Sequence, residues 1–536
     1  MLLNHSKGQY NMKYLQIFSA VILTIFLVTI PIDGYSTIRH QEPVVVTGED
    51  VQAFQDAPIE ELHLYAFHPP FIWRPVLFQI DERDPDGSLF AEDDSVLDGN
   101  DEIIFQPQDG GAFAPDSSWI INPEARQNPR IRIVIYDPVD EDSTALYLYR
   151  SETLEDTLTV GSMSYENDTD EINSPFYRVG FDDRGFWDEF RFFDIDEREL
   201  SEDMIDREKI RLSGQVWPLP EWNINEGDFE QTDRQVKSGR LRVSRLLVEE
   251  AEILNQPLQK TSFRQYYRSY IVVPGDVLNV PDFGGVTLVR SSFDLTADAD
   301  GAMESDENNE ALTVDGDPDD ANTDLSDGEL EHKWIKMAFD DNSLVFVLDI
   351  DGIAETNNLY YHDNSDGGTA DGTEDTGDME SYGDIGFIFT DVNAGRHTLR
   401  TKVYMGMGEE MALTGDQCRD YFDTPLQTVL TEESFGEDVV FEDRNATPNG
   451  FALNGAYPNP FNAMTNLSYT LPVMSDVSIC VYDLSGQLVA VLEDGPRTAG
   501  HFTTVWNAQS VSSGVYLVQM ETDGGFRAIR KVVLVR

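Results

Sequence analysis

The sequence predicts an all-β chain of several sandwich domains, the last of them an immunoglobulin-like sandwich. Three observations carry this. Short runs of β-branched and aromatic residues, each bounded by turn residues, recur along the chain. Helical periodicity is thin, and Glu197 to Arg211 is the one stretch that reads as a helix, charged and exposed. From Phe451 onward, turn residues return every eight to twelve positions or so, the spacing of a small sandwich. A length of 536 residues exceeds one ordinary core, so about two to four domains are expected.

In chain order, Lys7 and Lys13 precede an apolar run from Tyr14 to Ile30, followed by Pro31 and the small-residue site Gly34-Tyr35-Ser36. That order predicts a secretory signal peptide over residues 1–36, with a retained membrane anchor as the alternative. No later segment approaches ~18 apolar residues, so the mature chain is expected not to span a membrane.

Residues 37–150 form a predicted N-terminal β-sandwich, with strands at Val44-Val45-Val46, Ile72 to Ile80, Ile131 to Tyr136 and Ala145 to Arg150. Residues 151–440 form a large β-sandwich region with acidic loops. Its strands are Leu241 to Val248, Phe263 to Val273, Trp334 to Phe339, Leu344 to Leu348 and Ile385 to Phe389. An extended sandwich of two large sheets is the expected arrangement, with tandem smaller sandwiches as the alternative. Two hydrophilic stretches, Ala297 to Glu331 and Asp363 to Asp378, are too polar for a core and read as long loops. A polar linker at 441–450 leads into a final domain at 451–536.

Ninety-nine acids against 37 bases give a net charge of −62 and a pI near 4.1. Such a surface repels phosphate backbones, which disfavours a nucleic-acid partner. Three readings of the acidity stand: a solvated surface, calcium held in Asp-rich loops, or recognition of a basic partner. The two cysteines, Cys418 and Cys480, fall in different predicted domains and suggest neither a metal site nor a redox pair. Cys480, on an alternating strand, is expected to be a small buried hydrophobe.

The sharpest local pattern in the body is Glu82-Arg83-Asp84-Pro85-Asp86-Gly87-Ser88, running on to Asp93. Alternating acids, then a turn glycine, then a late acid follow the logic of a calcium loop. The candidate ligands are Glu82, Asp84, Asp86, Ser88 and Asp93, with Asp98, Asn100 and Asp101 completing a cluster. A Glu in first place and an Asp in twelfth depart from the usual loop, and no strong apolar helices flank it. Weaker acidic loops lie at Asp298, Asp300 and Gly301, and from Asp315 to Asp320.

No pattern for catalysis stands out. The eight histidines contain no H-E-x-x-H pair, and neither a G-x-S-x-G elbow nor a phosphate-cradling glycine loop occurs. His63 and His68 flank an extended segment. Phe186-Trp187, Phe190, Phe192-Phe193, Trp217 and Trp222 cluster in the middle region, as either a sugar-stacking surface or sandwich core.

The last stretch carries the most specific wording in the chain. Its motifs are Tyr457-Pro458-Asn459-Pro460-Phe461-Asn462, Val481-Tyr482-Asp483-Leu484-Ser485-Gly486, Ala499-Gly500-His501 with Trp506, Ser513-Gly514-Val515-Tyr516-Leu517, and the closing Lys531. In this order they resemble the C-terminal sorting domain of the type IX secretion system of the Bacteroidota and their relatives. The resemblance implies passage through the Sec translocon to the periplasm. It then implies engagement of the outer-membrane type IX machinery, ending outside the cell or on its surface. It covers the last domain alone. For the body, the expectation is a β-sandwich binding or adhesion module for glycans or surface polymers, with calcium as the candidate cofactor ordering its acidic loops. The alternatives are an extracellular lyase or glycosidase on polysaccharide and a structural surface component. A groove lined by paired acids, or by Tyr with Arg and His, would mark the enzyme.

Overall fold

The computed structural model describes residue 39 and residues 42–534, apart from intervals at 70–71, 156–157, 159–161, 195–198, 281–284, 300, 306–311, 318–333, 340–341, 351–355, 366–380, 391, 408–412, 436–450, 458–460, 462–463, 484–486, 499 and 509–510. The expected leader, the linker and most of the two acidic stretches lie outside the described residues. The chain divides into two compact units, Met1–Glu433 and Ser434–Arg536.

The first sandwich of the body is built from β1 (Val44–Thr47), β2 (Leu62–His68), β3 (Ile72–Pro75), β4 (Gln79–Asp81), β5 (Glu102–Phe105), β6 (Arg130–Asp137) and β7 (Asp142–Arg150). One sheet has the order β1-β5-β4. The other is β2, β3, β6 and β7 with a late strand, Gln427–Glu433, at its edge beside β6. Residues 427–433, placed by the sequence in the large region, therefore complete the first sandwich. Alternation sets its core: Leu62, Leu64, Ile131, Ile133, Leu146 and Leu148 of one sheet meet Val44, Val46, Ile103 and Phe105 of the other. The expected continuous strand from Ile72 to Ile80 breaks after Pro75, and its two halves lie in different sheets. Proline lacks the N–H a ladder needs, and edge strands are where sheets tolerate it.

The rest of the body holds a five-stranded sheet of short strands, β8 (Ser164–Glu166), β9 (Glu171–Asn173), β10 (Tyr177–Phe181), β11 (Trp187–Asp194) and β12 (Glu199–Leu200), in consecutive order. Two larger sheets follow, facing one another. Their strands are β13 (Ile205–Gln215), β14 (Glu221–Asn225), β15 (Glu230–Ser238), β16 (Arg242–Ile253), β17 (Gln256–Tyr267), β18 (Tyr270–Val280), β19 (Val286–Leu295), β20 (Gly301–Ser305), β21 (Leu312–Val314), β22 (Trp334–Phe339), β23 (Asn342–Ile350), β24 (Thr356–Asn364), β25 (Ser381–Thr390) and β26 (Gly395–Met407). One sheet runs β14-β13-β19-β25-β24 and the other β15-β16-β17-β18-β26-β23-β22-β20-β21. Among the described residues this is the largest core, with Leu212, Val289 and Phe387 of the first sheet packed toward Tyr266, Ile271 and Val403 of the second.

Of the stretch read as a helix, Glu197 to Arg211, residues 197–198 lie outside the described residues and the rest is β12, a short connection and the first part of β13. In β13, Ile210 and Leu212 point into the core while Lys209 and Arg211 point to the other face. Glu208, Lys209 and Arg211 are buried and paired rather than solvated, so composition suggested an exposed helix where the spacing is two. The helix α1 (Gly415–Asp423) packs on the outer face of the nine-stranded sheet, with Cys418 and Tyr421 against Trp334, Val345 and Tyr404. Thr414 caps it by accepting from Gln417 N at 3.2 Å.

At the turn between β12 and β13, burial pushes the Asp203 carboxyl up to about 6, against the pull of the Phe190 and Ile205 N–H groups and of Arg191. A folded-state value above the unfolded one, ~3.9, means the folded chain holds this proton more tightly. Stability from this group is full below pH ~4 and falls as the pH rises to about 6. Asp203→Asn keeps the acceptor and is expected to remove that fall. The gain at pH 7 should be on the order of 1 kcal/mol after solvent screening. Thermal unfolding from pH 4 to 8 checks it, and parallel curves for variant and parent would refute it.

The second unit is a sandwich of its own. After β27 (Gln427–Glu433), the late strand of the first sandwich, its strands are β28 (Ala452–Tyr457), β29 (Met464–Leu471), β30 (Ser475–Asp483), β31 (Leu488–Arg497), β32 (Gly500–Asn507), β33 (Gly514–Thr522) and β34 (Arg527–Leu534). Sheets β28-β29-β32 and β31-β30-β33-β34 enclose a core that includes Leu467, Ile479, Val518 and Val532.

Candidate aromatic binding cleft

The outer face of the first sandwich's larger sheet is aromatic where surface strands are usually polar. By the period of two, Tyr65 and Phe67 of β2, Trp73 of β3 and Tyr147 and Tyr149 of β7 share that face. Tyr65 lies opposite Tyr147, and Phe67 opposite Trp73. The segment 111–126 crosses above them. It enters through Gly111, whose N–H bonds Ala145 O at 3.0 Å, and a Cβ there would lie 2.3 Å from Phe67 O. Ala112 N then bonds Phe67 O, and Ala114 N donates to the Tyr147 hydroxyl at 2.6 Å. This lays Trp119 on Tyr149, with ring centres 5.7 Å apart. Trp73 meets Tyr147 edge-on at 5.0 Å.

Arg130 holds the rings from beneath. It is fully buried, with its guanidinium carbon 4.3 Å from the Trp119 ring centre and 4.7 Å from that of Tyr147. It donates to Glu433 at 2.7 Å, to Ser118 O at 2.7 Å and to the Tyr149 hydroxyl at 3.0 Å. Burial pushes the Tyr147 hydroxyl up to about 12 and Tyr149 higher, outweighing Arg130, so both stay protonated. Two buried donors here have no partner, Arg130 Nη2 and Trp73 Nε1.

Above the rings opens a cleft of about 510 Å³, within the range of small-ligand sites. Tyr65, Trp73 and Trp119 supply aromatic walls, Ser117, Ser118 and Asn122 supply polar groups, and the lining includes neither carboxylate nor cation. Ile121, 95% exposed, stands at the rim. The sequence missed this site. Trp73 sat inside a run read as strand, and only the fold brings Trp119 to it.

The residues singled out for calcium lie near one another, and several of them bond within the loop. Glu82 Oε2 accepts from Asp94 N and Ser95 N, and Asp84 Oδ1 accepts from Asp86 N and Ser88 N. Asp101 accepts from Arg83 N and Asp98 N, and Asn100 donates to Asp84 O. Lys237 reaches Asp93 at 2.6 Å and Glu82 O at 2.9 Å. Burial pushes the Glu82 and Asp101 carboxyls up, with nearby acids adding to it and backbone N–H groups opposing it. Among the described residues no three His, Cys, Asp or Glu side chains are arranged to hold a metal ion.

The other sequence candidates also have positions. Phe186, Trp187, Phe190 and Phe192 are core, while Trp217 is 85% exposed. His63 bonds Ser151 O at 3.1 Å, and His68, an odd number of residues along β2, faces the opposite way. Cys480 is half-buried rather than buried, because its position on β30 alternates with the core residues Ile479 and Val481.

A second polar ensemble occupies the outer face of the five-stranded large sheet. Arg211 and Arg290 face each other across β13 and β19, Ser292, Gly386 and Tyr360 form the next row, and His362 lies opposite Asp384. Lys209 donates to Asp294, and Arg290 stacks over Tyr360 at 4.1 Å. Burial pushes the Asp384 carboxyl up, but Lys209 and Arg290 outweigh it and hold it below the usual range. Lys209, Arg211, Arg290, Asp294, His362 and Asp384 are all buried, and neither His362 ring nitrogen has a hydrogen-bond partner.

In the second unit three of the motif residues, Phe461, Trp506 and Tyr516, belong to the core. Phe461 is buried against Trp506, with ring centres 5.1 Å apart, and Trp506 meets Tyr516 at 5.2 Å. Phe461 N donates to Val533 O at 2.9 Å, tying the first motif to the last strand. Tyr457 ends β28, Tyr482 and Asp483 end β30, and Gly500 and Gly514 open β32 and β33. Asp483 caps a turn by accepting from Gln487 N at 2.9 Å. Lys531 stands exposed opposite Leu517. Pro458, Asn459, Pro460, Asn462 and Gly486 lie outside the described residues.

Residues 455–535 match the family model of the secretion system C-terminal sorting domain. No curated protein matches the chain. Among solved structures, it is similar to a glycosyl hydrolase family 38 protein from Enterococcus faecalis at 11% identity, covering 88% of this chain and 57% of that one, with a TM-score of 0.40. An α-mannosidase from Enterococcus faecalis V583 gives 10% identity, coverage of 87% and 53%, and a TM-score of 0.38. PorZ, a surface component of the type IX secretion system of Porphyromonas gingivalis, gives 10% identity, coverage of 73% and 49%, and a TM-score of 0.13. The chain spans little more than half the length of the first two, and likenesses this low carry no argument about activity.

Proposed function

We propose that this chain, which carries the type IX sorting domain over residues 455–535, is an exported surface protein whose first sandwich binds a neutral glycan. The sorting domain directs it to the cell surface or the extracellular space. The cleft of Tyr65, Trp73 and Trp119 supports the rest of the reading. Flat aromatic walls take the apolar faces of sugar rings, and serine hydroxyls and an amide pair with sugar hydroxyls. A lining with no charged side chain asks for an uncharged ligand, since a buried unpaired charge is costly. A glycan array probed with the full-length chain tests it. Neutral hexose polymers should bind, and binding should not weaken between low and high salt. Binding confined to sulfated or uronic polymers, or to none, would sink the reading.

A second reading, an enzyme on polysaccharide, draws on the buried polar ensemble. Tyr360, Arg290 and His362 share one sheet face there, the residue types a lyase-like site uses. Product release from a broad polysaccharide panel, lost in His362→Ala, would support it. Inert behaviour would leave the binding reading alone in the field.

A further inference from the structure

The large sandwich has a cavity between its two sheets. Water-sized groups fit over about 80 Å³ of it. That is room for more than a single water and for a short, slender chain. Trp187, Phe293, Phe346 and Leu399 give it an apolar wall, and Arg264, its partner Glu208, and Asp276 supply the charged part of the lining.

Arg264 and Asp276 owe their position to the backbone. The β17–β18 pairing shifts register between Phe263 and Gln265, at Arg264, and the β18–β26 pairing shifts between Val273 and Asp276. Such irregularities re-aim side chains beside binding sites. Arg264 Nη2 lies 3.3 Å from Asp276 Oδ2, and Arg264 also holds Glu208 through both terminal nitrogens. Each residue nonetheless retains one buried atom without a partner, the donor Arg264 Nε and the acceptor Asp276 Oδ1. Arg264 is 8% exposed, while the Asp276 side chain is 21% exposed and Leu399 half-buried, so access lies on their side.

We propose that this cavity binds a slender aliphatic alcohol, its chain between the sheets and its hydroxyl between Arg264 Nε and Asp276 Oδ1. A hydroxyl is the head that serves both atoms, because it accepts from one and donates to the other. A carboxylate head meets the charges of Asp276 and Glu208, and an ammonium head, which cannot accept, leaves the Arg264 Nε donor unserved. The glycan cleft lies in a different sandwich, and neither site depends on the other.

Calorimetric titration of the full chain with 1-hexanol, hexanoate, hexylamine and hexane tests the proposal. The alcohol should bind about tenfold tighter than the other three, the worth of one satisfied pair of polar groups. Asp276→Ala should erase that preference. Leu399→Trp, which fills the cavity from its apolar wall and lies outside the ion pair, should abolish binding at a temperature where circular dichroism shows the variant still folded. Equal binding of all four, alcohol binding that survives both variants, or no binding by the parent chain would overturn it.

Discussion

Arg264→Met is expected to destabilise the body by about 3–5 kcal/mol, the cost of leaving a buried charge without its partner. The charge left behind is Glu208. Burial pushes its carboxyl up, but Arg264 and Lys260 outweigh burial and hold it below the usual range. Arg264 donates to Glu208 at 2.7 Å and 2.5 Å, and Trp187 N adds a third bond at 3.3 Å. Because the folded value lies below the unfolded one, this stability is present above pH ~4.3 and is lost as the pH falls through the folded value. The double variant Glu208→Leu with Arg264→Met should recover most of the loss, since apolar replacement of a whole buried pair is often neutral. Urea unfolding measures both. A single-variant loss under about 1 kcal/mol would mean that water reaches the pair.

Arg130→Met carries the second large effect, because one side chain serves both fold and cleft. It removes the bonds to Glu433, Ser118 O and Tyr149, and the cation beneath Trp119 and Tyr147. Glu433 keeps Arg132 at 2.7 Å, so the carboxylate is not orphaned and the loss should be nearer 2–4 kcal/mol. Segment 111–126 loses its anchor at Ser118, and Trp119 with it. Glycan affinity should fall at least tenfold or so at a temperature where the variant is still folded. Unchanged affinity would mean that Trp119 is positioned by Tyr149 and the loop alone.

The chain's β character was legible because alternation such as Ile131-Arg132-Ile133-Val134-Ile135 has one structural meaning. The final domain was legible because its motifs are dense and consecutive, and Phe461, Trp506 and Tyr516 prove to be one core cluster. Glu197 to Arg211 misled, because its charges signalled solvent while Lys209 and Arg211 find partners that only the folded sheet supplies. The aromatic run around Trp187 was open between core and ligand surface, and it went to the core. The cleft was not legible at all. Tyr65, Trp73, Trp119 and Arg130 come from four separate segments, and Glu433, which anchors Arg130, lies about three hundred residues further on.

The central claim is that the aromatic cleft binds uncharged sugar. Calorimetric titration of a neutral hexose oligosaccharide into the full-length chain and into Trp73→Ala/Trp119→Ala addresses it most directly. The parent should bind, and the double variant should lose at least about 2 kcal/mol of affinity, some thirtyfold, while keeping its fold by circular dichroism. Equal affinity in the two proteins would contradict the claim.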